Sequence, residues 1–291
     1  MRPADYDFLR AVLKERSGLV LGDGKQYLVE SRLVPIARKA GFAGVGELMR
    51  MLRNPREPLI ADVVEAMTTN ESFFFRDKVP FEQFRNTMVP ALLAARPNRR
   101  IRIWCAAASS GQEPYSLAMC LAEVREKIRG WSIEILATDI STEVVEKATA
   151  GVYSQFEVQR GLPIHLLIKY FTQVGDLWRI SPEIAAMVQF RPLNLLKEFS
   201  HLGYFDVVFC RNVLIYFDQQ TKAKVLQKIA RISRADGYLV LGTAETVVGL
   251  SDAFRPVADL RGVYVPVAMK GAGIALNGMA HERVVPLARA R

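Results

Sequence analysis

The chain has 291 residues, half of them hydrophobic and 24% charged, which allows one large globular domain or two smaller ones with a full core. Lys and Arg outnumber Asp and Glu by 39 to 30, leaving a formal charge of +9. That charge is spread along the chain with no basic block and no aromatic-interleaved basic run, which argues against nucleic acid and keeps an acidic protein partner open. No apolar run reaches the roughly 18 residues of a membrane span. The N-terminal MRPADYDFLRAVLKERSG carries no signal-peptide pattern. Cys105, Cys120 and Cys210 are widely spaced within apolar segments and form no CxxC pair. The expectation is a cytoplasmic protein with buried thiols, no membrane insertion, no disulfide framework and no metal site.

Residues 5 to about 70 read as all-helical. Segment 5–16 places Phe8, Leu9, Val12 and Leu13 at a helical period. Residues 18–24 are a connector, and 25–40 form a second helix ended by Gly41, in which Pro35 predicts a kink or an early stop. Segments 46–53 and 58–67 read as two short helices. Arg32, Arg38 and Lys39 make the second helix basic, as a solvated face or as a face for an acidic substrate. The following TTNESFFFR (68–76) sets three aromatics beside Asn70, Ser72 and Arg76. Buried polar groups need partners, so these side chains either bridge two domains or meet a ligand at the junction. Residues 77–95 read as a long helix.

The stretch IRIWCAAASSGQEPYSLA (101–118) is a strand, a small-residue turn including Ala107, and a helix starting at Gln112. Such a turn lets backbone approach a nucleotide-like ligand and offers it free N–H groups, although the G-x-G-x-x-G spacing is absent. Ser110-x-x-Glu113 is also a capping-box pattern. A second strand, 132–138, ends in Asp139, which suits either a ribose diol or, with Ser141, the cap of helix 142–150. Residues 151–190 loosen into a helix near 162–170 and short strands at 177–180 and 186–190, an expected antiparallel insertion on the main sheet. Asn194 and Leu195 follow. DVVFCRNVLIYFD (206–218) is a buried strand with Arg211 and Asn212 at its C-terminal end, where open α/β sheets bind ligands, then Tyr216 and a capping Asp218. Helix 219–234, strand 238–242 and a last strand at 262–267 complete the pattern, and 268–291 reads as a flexible basic tail.

The segments TTNESFFFR, IRIWCAAASSGQEPYS, ATDIS, RPLNLL and FDVVFCRNVLIYFD, in this order behind a helical region, resemble the CheR-type chemoreceptor glutamate methyltransferases over nearly the whole chain. The resemblance implies an α/β fold: a Rossmann-like S-adenosylmethionine-dependent methyltransferase domain (77–267) with a small antiparallel β insertion at about 171–191. An all-helical receptor-recognition domain (1–76) precedes it. By that resemblance Asn70, Ser72, Arg76, Ala107, Glu113, Asp139, Asn194, Leu195, Arg211 and Asn212 contact the cofactor. Arg76 and Tyr216 serve the transfer site, and Arg32 and Arg38 fall on helix positions that meet the receptor. The product pair is a glutamate methyl ester and S-adenosylhomocysteine, the partner a chemoreceptor cytoplasmic helix, and the enzyme a monomer.

Three departures from the family pattern stand out. Ser72 replaces a common Thr, Gln112 stands where many relatives have Glu, and no TPR-like repeat follows the catalytic region. In addition FTQVGDLW (171–178) is short and has one glycine, where some members carry a glycine-rich loop for a receptor-tail pentapeptide; a pentapeptide-independent enzyme is expected. The chemistry agrees, because an ionised glutamate needs no general base. A non-catalytic cofactor-binding module that docks on receptors is the competing reading. A nucleic-acid or amide methyltransferase is disfavoured, since RNVLIYF stands where those enzymes carry an NPPY-type signature.

Overall fold

A computed structural model describes residues 1–54 and 57–267; the predicted tail at 268–291 lies outside them. The helical region comprises α1 (Pro3–Ser17), α2 (Gln26–Lys39), α3 (Val45–Leu52) and α4 (Glu57–Met67). Their apolar stripes close a core of Leu9, Leu13, Val29, Leu33, Leu48 and Val63, all fully buried. α2 runs through Pro35 to Lys39 without stopping. α1 ends at Gly18, whose φ of +78° is a left-handed C-cap. A Cβ there would also meet Phe217 at 3.0 Å and Leu196 at 3.1 Å, so glycine lets the end of α1 seat on the second region.

The expected long helix at 77–95 is α5 (Val79–Gln83), a π-turn over Phe84–Met88 and α6 (Val89–Ala95) in succession. Beyond it, among the described residues, lie ten strands: β1 (Arg100–Ala106), β2 (Ser132–Asp139), β3 (Val152–Ser154), β4 (Phe171–Val174), β5 (Leu177–Ile180), β6 (Val188–Pro192), β7 (Phe205–Cys210), β8 (Ser233–Leu241), β9 (Phe254–Pro256) and β10 (Val263–Pro266). The main sheet runs β6-β2-β1-β7-β8-β10-β9. The first five strands are mutually parallel, and β10 is antiparallel to both neighbours. Helices α7 (Gln112–Ala122), α8 (Thr142–Ala150) and α12 (Gln219–Ile232) lie between parallel strands in the chain. β1 is buried on both faces. Ile101, Ile103 and Cys105 join one core with Phe81 and Leu117, while Trp104 and Ala106 join the other with Leu226 and Ile229. The chain moves from β1 to β2 on one side and returns to β7 on the other. The crevice at their C-terminal ends is therefore the switch point where Rossmann-like sheets bind ligands.

The β insertion differs from its expected bounds. The small antiparallel sheet is β3-β5-β4, with α9 (Gln155–Gln159) and α10 (Ile164–Tyr170) between β3 and β4. The predicted strand at 186–190 is β6, which follows α11 (Pro182–Ala185) and pairs parallel with β2 from Ile135↔Val188 to Asp139↔Pro192. A five-residue run that holds Val188 and Phe190 on either side of Gln189 fits either ladder, and the free edge of β2 takes it. β3, β4 and β9, of three or four residues each, are too short to show alternation in sequence.

Candidate functional site

The ends of β1, β2 and β7 open into a solvent-open cleft. Its opposite wall comes from the helical region: Ser17 at the end of α1, Leu19 just beyond it, and residues 68–72 after α4. Asn70, Ser72, Arg76, Ala107, Glu113, Asp139, Asn194, Leu195, Arg211, Asn212 and Tyr216 all line it; Arg32 and Arg38 do not.

The turn after β1 is tight without being glycine-rich. Ala107, Ser109 and Gly111 have φ of +64°, +50° and +92°. At Gly111 a Cβ would lie 2.9 Å from that of Ala148 and 3.1 Å from the Tyr153 hydroxyl, so only glycine fits. Asp139 holds this turn. Its Oδ2 accepts from the Ser109 N–H at 2.8 Å and its Oδ1 from the Ser141 N–H at 3.0 Å. Burial raises its pKa above the usual aspartate value, against the pull of the backbone N–H groups of Ser141, Ser109 and Ile140. Ser141, whose Oγ accepts from the Val144 N–H, is the cap of α8. Asp139 thus keeps spare acceptor capacity at the cleft wall.

Glu113 does not serve the helix start, because α7 has no side-chain cap and the Ser110 hydroxyl turns to Gln112 Oε1 at 2.9 Å. Its Oε2 accepts instead from Arg211 Nη1 at 2.8 Å. Arg211 Nη2 reaches Asp77 Oδ2 at 2.7 Å and the Arg76 carbonyl at 3.0 Å. Both side chains of the Glu113–Arg211 pair are removed from solvent, and burial raises the Glu113 pKa against the attraction of Arg211. Arg211 Nε is buried with no hydrogen-bond partner among the described residues.

Asn194 and Leu195 sit on a loop fastened from two sides. Asn194 Nδ2 donates to the Arg16 carbonyl at 2.6 Å, and Lys228 Nζ donates to the Leu195 and Leu196 carbonyls at 2.8 and 3.0 Å. The Tyr216 carbonyl accepts from the Val20 N–H at 2.9 Å. Arg76 donates to the Glu71 carbonyl at 2.9 Å and lies over the Phe73 ring. Arg32 is spent on the chain itself, with Nη1 donating to the Met67 and Thr68 carbonyls at 2.8 Å each. It caps α4 and shapes the linker into the cleft. Arg38, near the end of α2, is exposed, and its side chain has no hydrogen bond or ion pair among the described residues.

Sequence reasoning missed Glu245. This buried carboxylate accepts from the backbone N–H groups of Asn212 (2.7 Å), Val213 (3.0 Å), Ile215 (3.3 Å) and Gly242 (2.8 Å). Its only trace in the sequence is an acidic residue three positions after the glycine that follows β8. Glu65 was missed as well. From α4 it reaches across to the start of α8, accepting from the Ser141 hydroxyl and the Glu143 N–H.

Two family models match this architecture: the CheR methyltransferase SAM binding domain over residues 70–262 and the CheR methyltransferase all-alpha domain over residues 4–68. Chemotaxis protein methyltransferase 1 of Pseudomonas aeruginosa is 42% identical over 264 residues, 89% of this chain and 96% of its own. The chemotaxis protein methyltransferase of Vibrio parahaemolyticus is 44% identical over 257 residues (86% and 92%), and that of Escherichia coli 36% over 260 (86% and 87%). With both domains matched in order and the switch-point cleft between them, the chain belongs to the CheR methyltransferase family of S-adenosylmethionine-dependent enzymes.

Proposed function

We propose that this chain transfers the methyl group of S-adenosylmethionine to glutamate side chains on the cytoplasmic helices of chemoreceptors, giving methyl esters and S-adenosylhomocysteine. The observation that carries the reading is the composition of the cleft. No histidine, lysine or cysteine lines it among the described residues. Each of its carboxylates is already engaged: Glu113 by Arg211, Asp139 by backbone N–H groups, Glu71 by Arg160. An amine or alcohol acceptor must surrender a proton during methylation. A glutamate, with an unperturbed pKa of about 4.3, has surrendered it already near neutral pH.

The residues present fit the cofactor. Asp139 offers acceptors suited to ribose hydroxyls, Glu113 a negative charge for the amine, and the buried Arg211 Nε an unused donor. Asn194 and Leu195 would frame the adenine, with Asn70, Ser72, Ala107 and Asn212 completing the wall. Bound there, S-adenosylmethionine supplies an electrophilic sulfonium methyl. The protein's task is to exclude water and align the acceptor, which is worth roughly 7–11 kcal/mol. Tyr216 is assigned to the acceptor oxygen and Arg76 to the cofactor carboxylate, because a full Arg ion pair would blunt the nucleophile.

Incubation with labelled S-adenosylmethionine and receptor should give base-labile methanol; no release with any receptor of the source organism overturns the reading. The exposed Arg38 is retained as a receptor-docking residue, whereas Arg32 acts by shaping the linker. Pentapeptide independence is supported by the β4–β5 hairpin, where Val174 pairs with Leu177 across a turn of only Gly175 and Asp176. Calorimetry with an aromatic-acidic receptor-tail peptide should show no binding, and micromolar affinity would refute it. A cytoplasmic monomer is part of the same proposal; among the described residues no helix is long and apolar enough to cross a membrane.

A further inference from the structure

We infer that Glu245 is a positioning residue of this site, the frame on which the Arg211–Tyr216 turn is built. β7 ends at Cys210, and a short 3₁₀ turn spans Leu214–Tyr216. The N–H groups between and just inside them have neither a ladder nor a helix to join, and buried backbone donors need partners. The Glu245 carboxylate supplies these. Its Oε2 accepts from Asn212 and Gly242, its Oε1 from Val213 and Ile215. Four donors fill the roughly four lone-pair sites of a carboxylate, so Glu245 has no acceptor left for a ligand. It does not line the cleft, but the turn it holds carries Arg211, Asn212, Val213 and Tyr216, which do. The approach also requires Gly242. A Cβ there would stand 2.7 Å from Glu245 Oε2, 2.9 Å from Asn212 Nδ2 and 3.0 Å from the Asn212 nitrogen.

The turnover part of this inference rests on the function proposed above; the binding part does not. Glu245→Gln puts an NH₂ group against two backbone donors and leaves them unpaired. Measured well below its melting temperature, the folded variant should bind S-adenosylhomocysteine at least about tenfold more weakly, the effect of an unsatisfied buried hydrogen bond. Its kcat for receptor methylation should fall by at least as much, while the KM for receptor stays near that of the wild type. The amide signals of Asn212, Val213, Ile215 and Gly242 should move together. A purely structural role would lower the melting temperature and leave affinity and kcat of the folded protein unchanged, and that result overturns the inference. Gly242→Ala displaces the carboxylate without altering charge and must show the same pattern. It carries the test alone if Glu245→Gln does not fold, and wild-type affinity and turnover in it refute the inference. Affinity and amide signals need no receptor. Failure of the wild type to methylate any receptor would therefore sink the proposed reaction and leave this inference to be judged by binding.

Discussion

Two turns leave adjacent parallel strands at the centre of the sheet, and each is held by a carboxylate from the neighbouring outer strand. After β1, Asp139 at the end of β2 takes the Ser109 N–H; after β7, Glu245 beyond β8 takes three N–H groups of residues 212–215. Asp139 accepts one hydrogen bond per oxygen in these contacts and faces the cleft, so it can hold its turn and still meet a ligand. Glu245 is saturated by backbone and works at one remove. The same chemical group thus keeps acceptors free for a ligand or spends all of them on the scaffold, according to how many donors the backbone presents.

The largest test of this contrast is Arg211, which ties the second turn to Glu113 just past the first. Arg211→Ala leaves Glu113 buried without its countercharge and should cost about 3–5 kcal/mol in urea denaturation. A loss near zero would mean that the two turns are independent. Asp139→Ala should weaken S-adenosylhomocysteine binding by about 1–3 kcal/mol in calorimetry, through lost hydrogen bonds to the ligand. Unchanged affinity would mean that Asp139 makes no hydrogen bond to the ligand.

Acid probes Asp139 on its own. Because burial raises the Asp139 pKa, the folded protein takes up this proton at higher pH than the unfolded chain does. On falling pH the group therefore adds stability to the ligand-free protein while its acceptor capacity is lost. S-adenosylhomocysteine affinity should begin to fall above the ~3.9 of a free aspartate, and Asp139→Asn should lack that limb. The smallest effect concerns backbone. Ala107 at φ +64° pays a left-handed penalty that Asn212 at +58° largely avoids, since asparagine tolerates that region. Ala107→Gly should raise stability by up to about 1 kcal/mol and Asn212→Gly by less, both read from melting temperatures.

The same asymmetry explains what the sequence disclosed. The helical region showed its period, and β1, β2 and β7 showed their apolar runs. Asp139 stood out because an acidic residue at a strand end beside a small-residue turn has a known chemical use. Glu245 has no such template; its partners are backbone atoms, which look alike at every position. The Ser110–Glu113 pattern is a capping box in sequence, but a buried guanidinium 98 positions away competes for the glutamate and wins. Arg32 looked like part of a docking face, yet the exposed carbonyls at the end of α4 claim it. β6 was legible as a strand but not as a parallel partner of β2, because a five-residue run carries no statement of direction.

Cys105, Cys120 and Cys210 are all free and buried, and burial pushes their thiols up, Cys120 to about 12. Thiolate is the reactive form, so none of the three is primed for alkylation or oxidation. The wild-type chain is therefore already a silent background for thiol chemistry. A single cysteine introduced at an exposed position such as Tyr27 or Phe156 can take a fluorophore or spin label selectively, with no native cysteine removed.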